Sequence, residues 1–192
     1  LTVFDPSLIE SLPALAPLVP LSPAIQVVEK AAEGTAASLR GRFDRGRQCY
    51  QRVIARLSAS DGAGLLPAEH ARSLCGAHFL LGLIDAGRGI ASAEEHAAAL
   101  EKERSYQANA WRVRMLLHLT RGDAEEGARC QRRAELALLR EGQQYARTTA
   151  LGELICAVLC ADLVRVTQAV EVLTQLAARF AGWRPHCIYG RA

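Results

Sequence analysis

The chain has 192 residues, half of them hydrophobic and only 5% aromatic, with a formal net charge of +3. That is enough chain for one domain with a sizeable core, and the near-neutral charge argues against binding nucleic acid through bulk charge. No run of 18 apolar residues occurs, which excludes a membrane-spanning helix.

Alanine and leucine dominate, β-branched residues are few, and the apolar spacing is helical, which favours close helix–helix packing on small side chains. Of the 23 basic residues only Lys30 and Lys102 are lysine. The six cysteines (Cys49, Cys75, Cys130, Cys156, Cys160 and Cys187) have no framework spacing. Five lie in helical patterns and read as small core residues of a protein kept in a reducing cytoplasm. The N-terminus has no basic leader, and prolines interrupt its apolar run. The chain opens on Leu1 and closes on Tyr189 to Ala192 without a clear cap, as expected of a piece of a longer protein.

Residues 1–23 hold Pro6, Pro13, Pro17, Pro20 and Pro23 and form a proline-rich segment or linker. Each proline biases its predecessor away from helix. A helical domain is expected over 24–181 and an irregular tail over 182–192. Ser22 caps a first helix that runs to about Arg40, with Pro23 at its first position. A second helix spans Phe43 to Leu57, and Ser58 to Gly64 is the clearest internal loop. A third spans Pro67 to Ala86, apolar almost all round from Leu74 to Ile84 and so central. Further helices are predicted from Ser92 to Arg104, Ser105 to Arg121, Asp123 to Glu141, Gln143 to Cys160 and Asp162 to Phe180. Glu125 and Arg129 form an i,i+4 pair in the sixth.

The stretch from Trp111 to Gly127 organises the rest. Gly122 ends one helix in the left-handed conformation that glycine enters without steric cost. Asp123 caps the next, and Glu125 and Glu126 suit its positive end. One dipeptide therefore joins two neighbouring helices. Trp111 precedes Gly122 by eleven positions, and Gly127 and Ala134 occupy the small positions of the second helix. Gly34, Gly41, Phe43, Gly46 and Tyr50 make a second, better copy. Asp85 to Gly89 and Ala161–Asp162 mark two more, with turns expected at Gly41, Gly87, Gly122 and Ala161.

These residues resemble the tetratricopeptide repeat (TPR). The family departs at Met115, where it prefers glycine, and at Gln131, where it prefers an aromatic. The resemblance implies an all-α fold of antiparallel helical hairpins stacked as a right-handed TPR-like solenoid of about eight main helices. The other reading of the same glycines is an irregular all-α domain.

No catalytic constellation is found. The histidines (His70, His78, His96, His118 and His186) form no His-Glu-x-x-His and no zinc-type pairing with cysteine, so no metal, cofactor or catalytic residue is expected. Cys156 and Cys160 supply at most half a site. Cys49, beside Arg45 and Arg47, is the one candidate for a low-pKa thiol, and it lacks an identifiable base. Gly62, Gly64, Gly87 and Gly89 form no phosphate loop.

The resemblance implies a protein-binding groove lined by the first helix of each pair: Thr35, Ser38, His78, Leu81, Asn109, Arg112, Leu116, Leu151 and Ile155. The carboxylate clamp of chaperone-binding members is incomplete, because Leu116 stands four positions after Arg112. The mixed groove suits a helix or an extended peptide. The reading is a non-catalytic interaction or scaffold domain, cut from a larger bacterial signalling regulator with kinase or signalling-ATPase domains. Its partner is a protein, a peptide or a neighbouring domain of the same chain. Two alternatives stand beside it: a small-molecule sensor with effector near His78 and Trp111, and nucleic-acid binding through Arg45, Arg52 and Arg56. Scarce lysine and the absence of interleaved aromatics disfavour the last.

Overall fold

A computed structural model describes residues 22–59, 64–141, 153–158, 161–179, 184 and 187. Residues 1–21 of the proline-rich segment, Leu151, Cys160, His186 and Trp183 lie outside the described residues. The helices are α1 (Pro23–Leu39), α2 (Phe43–Ala59), α3 (Pro67–Gly87), α4 (Ser92–Glu101), α5 (Gln107–Thr120), α6 (Ala124–Glu141), α7 (153–158) and α8 (Leu163–Arg179). The described residues are all-helical apart from turns and contain no strand, and none of their helices is long and apolar enough to cross a membrane.

Helix starts follow local chemistry. Ser22 Oγ accepts from the amide of Ile25 at 3.3 Å, with Pro23 opening α1. The Glu69 carboxylate accepts from the amide of Leu66 at 3.3 Å at the start of α3. Asp123 Oδ1 accepts from the amide of Glu126, and Asp162 Oδ1 from that of Arg165, each at 3.1 Å. Each carboxylate thereby satisfies one otherwise orphaned helix-end donor.

One stop recurs four times. Gly41, Gly89, Gly122 and Ala161 have φ of +72°, +68°, +82° and +53°. Each donates its amide to the carbonyl three residues back: Ser38, Ala86, Leu119 and Val158. The next residue (Arg42, Ile90, Asp123 or Asp162) donates to the carbonyl five residues back, at 2.8–2.9 Å. This paired closure is the Schellman arrangement. The turn expected at Gly87 is displaced, because α3 continues through Gly87 and Gly89 is the left-handed residue. The position equivalent to Thr35 in α1 is then Leu83 rather than Leu81.

Other boundaries also move. α4 stops at Glu101 rather than Arg104, and a 3₁₀ turn over Arg104–Tyr106 precedes α5. There Tyr106 packs against the central core, and its hydroxyl donates to Arg72 O at 3.4 Å. Ser58 and Ala59 belong to α2 rather than to the following loop. Two tail positions are described, Arg184 and Cys187; both are helical, and Cys187 is buried with Leu154, Ala169, Val170 and Leu173.

Helices pack chiefly on their neighbours in the chain: α1 on α2, α3 on α4, α5 on α6, with α2–α3, α4–α5 and α3–α5 joining the pairs. The central core gathers Phe79, Leu83, Leu100, Val113, Met115 and Leu116. Small residues set the helix spacing. A Cβ on Gly127 would lie 2.7 Å from Leu119 Cδ2, and Ala93 and Ala97 are fully buried. In α6, Arg129 pairs closely with Glu126 at 2.6 Å and more loosely with the expected partner Glu125 at 3.9 Å.

Candidate functional site

The expected groove residues divide into two groups. Leu81 and Leu116 are each 1% exposed and belong to hydrophobic cores, so they present no surface to a partner. Arg112 is likewise only 1% exposed. Thr35, Ser38, His78, Asn109 and Ile155 are half-buried and keep some face to solvent. Thr35 Oγ1 bonds to the carbonyl of Ala31 and to the Tyr50 hydroxyl, both at 3.0 Å. Ser38 Oγ donates to Gly34 O at 2.8 Å. These two hydroxyls thus tie α1 down as well as edging the surface.

Arg112 was expected to face a ligand; it holds an internal carboxylate instead. Its Nε and Nη2 donate to Glu153 Oε1 at 2.9 and 2.6 Å, and Nη1 donates to Asn109 Oδ1 at 3.2 Å. Arg165 Nη2 donates to the other Glu153 oxygen at 2.6 Å. Burial alone would push the Glu153 carboxyl up, but Arg112 and Arg165 beside it hold it below the usual carboxylate range. This charge-assisted set locks α5, α7 and α8 together.

A second polar network joins α3 to α2 and α4. Asp85 is 0% exposed. Its Oδ1 accepts from Arg47 Nε at 2.7 Å, and its Oδ2 accepts from Ser92 Oγ at 2.5 Å. His96 Nε2 stands 3.6 Å from the same oxygen, and His96 Nδ1 lies 3.1 Å from His78 Nδ1. Ser92 bonds to the aspartate rather than to the imidazole, so the group is not a Ser–His–Asp nucleophile. Asp85, His96 and Glu153 were not singled out from the sequence. An aspartate closing the apolar run from Leu74 to Ile84 was the available cue.

The His78–His96 contact has a pH consequence, since two imidazolium ions cannot share it. Burial, then the neighbouring His96, lowers the His78 pKa from 6.5 to about 4. Burial lowers that of His96 as well, against the pull of Asp85. Between those values the unfolded chain binds a proton that folded His78 does not, so the His78 contribution is whole above pH 6.5 and is lost as pH falls toward 4. Urea midpoints of wild type should fall across that window, and His78→Gln should flatten the fall. An unchanged slope in the variant would remove His78 from this role.

The remaining sequence candidates are largely engaged within the chain. Cys49 is buried, and burial pushes its thiol up rather than down. Arg47, expected to activate it, is bound to Asp85. Of the arginine face, Arg45 pairs with Glu33; beside it, Arg88 just past the end of α3 pairs with Asp44 of α2. The Trp111 ring carries the guanidinium groups of Arg114 and Arg133 at 4.8 and 4.7 Å. A recess of about 350 Å³ is lined by Glu101, Lys102, Arg104, Gln107, Ala137 and Arg140, none of them an expected groove residue. The five described cysteines are buried and unbridged. No protein-family model, curated protein or solved structure matches this chain.

Proposed function

We propose that this chain is a non-catalytic protein-interaction domain: helical hairpins stacked as a TPR-like solenoid within a larger signalling regulator. The observation that carries this reading is the fourfold left-handed stop at Gly41, Gly89, Gly122 and Ala161, with the same pair of backbone bonds each time. A recurrent stop between helices that pack on their chain neighbours is what a repeat array requires, because each unit hides its apolar face against the next. The identification with bacterial signalling proteins rests on the TPR resemblance.

The binding face is reduced to what remains accessible: Thr35, Ser38, His78, Asn109 and Ile155, with an extended or helical peptide as occupant. Arg112 acts behind this face by holding Asn109. Immobilised chain should capture its partner. Asn109→Ala and Ile155→Glu should each weaken capture at least tenfold at a temperature where circular dichroism shows the variant folded. Capture equal to wild type in both variants would rule out this face.

A further inference from the structure

The hairpin around Gly122 brings together three side chains of mixed donor type. His118 lies in the last turn of α5, and Glu126 and Cys130 lie one turn apart on α6. One donor atom from each falls within a cluster no wider than 4.8 Å. We propose that His118, Glu126 and Cys130 bind a divalent transition metal ion of the zinc class.

The fold places these residues for reasons that precede any ligand. The i,i+4 spacing puts Glu126 and Cys130 on one face of α6. Close approach of α6 to α5 at Gly127, against Leu119, draws that face toward His118. The His118 backbone is pinned by the turn, since its carbonyl accepts from Arg121 at 3.1 Å and from Asp123 at 2.9 Å.

A carboxylate also stands beside the ring. Asp123 Oδ2 lies 3.5 Å from His118 Nδ1, while Oδ1 of the same carboxylate caps α6 at Glu126. Metal-binding histidines commonly hold a carboxylate on one ring nitrogen, which fixes the tautomer and leaves the other nitrogen for the ion. Nε2 of His118 is then the coordinating atom.

Imidazole, thiolate and carboxylate together suit zinc, and a thiolate disfavours magnesium and calcium. Three protein donors leave a fourth position for water or for a partner's side chain. Cys130 forms the buried floor, while half-buried His118 and Glu126 give the ion a route from solvent. Glu126 now pairs with Arg129 at 2.6 Å, but Arg129 has Glu125 at 3.9 Å as a second partner. On binding, the sulfur–metal bond forms as the Cys130 S–H bond breaks, and the proton leaves to solvent.

The test is a Co²⁺ titration of the whole reduced chain, followed by Zn²⁺ competition. The expected result is one equivalent bound, a thiolate-to-cobalt charge-transfer band, and loss of that band when Zn²⁺ is added. Cys130→Ala should abolish the band, and His118→Gln should weaken binding at least tenfold. Asp123→Asn keeps a good helix cap and should weaken binding by about tenfold. Absence of the band in wild type would overturn the proposal. So would a band of unchanged intensity and affinity in Cys130→Ala, or in the half-exposed His118→Gln should Cys130→Ala fail to fold.

Discussion

Glu153→Gln should destabilise the protein by about 3 kcal/mol, the cost of leaving a buried charge without its counter-ion. For a chain of this size that is a fall of roughly 6–12 °C in melting temperature, at about 2–4 °C per kcal/mol. The cause is Arg112, which is 1% exposed and, among the described residues, has Glu153 as its carboxylate partner and an amide oxygen from Asn109 besides. A glutamine keeps the shape and removes the charge. Arg112→Met should cost much less, because Glu153 keeps Arg165 at 2.6 Å and the methionine fills the vacated apolar space.

The effect has a pH signature. Folding holds the Glu153 carboxyl below 4.5, so its contribution is whole above that value and is lost as pH falls through the folded pKa. Wild type and Glu153→Gln should therefore converge in strong acid and differ most at neutral pH. Equal urea midpoints at pH 7, or Arg112→Met proving the worse variant, would show that the network does not balance Arg112 as described.

Local rules made much of this fold legible in the sequence. Asp123 and Asp162 cap the helices that follow them, and Gly41, Gly122 and Ala161 turn where their spacing says. The second turn was misplaced because Gly87 and Gly89 are equally permissive as residues. Only tertiary packing, with the α3 C-terminus buried around Asp85 and Ala86, decides that the helix runs on to Gly87. Three of the groove positions are buried for a related reason. Repeat register assigns a face to Leu81, Arg112 and Leu116, but it cannot tell that the core closes over that face. Arg112 reads as a ligand-binding cation until Glu153, 41 residues later, comes within 2.6 Å. The His118, Glu126 and Cys130 cluster was hidden because its donors straddle a turn, where no fixed metal motif applies.

Gly34→Val should cost about 3 kcal/mol, at the upper end of what overpacking a well-filled interior costs. A Cβ at this position would stand 3.0 Å from Cys49 Cβ and 3.0 Å from Tyr50 Cε1. Neither atom can yield cheaply. Cys49 Cβ is fixed to the α2 backbone, and the Tyr50 ring is fully enclosed with its hydroxyl bonded to Thr35. The branched side chain would therefore have to push α1 away from α2, opening the crossing that Gly46 makes from the other side, where its own Cβ would strike Ser38. Gly76 is the control. It too lies inside a helix, but nothing stands within 4 Å of its Cβ position. Gly76→Ala should accordingly stabilise the protein by about 0.5–1 kcal/mol through the unfolded chain's lost freedom. Were the two substitutions to shift the thermal midpoint equally, the α1–α2 crossing would not be the close contact that glycine alone permits.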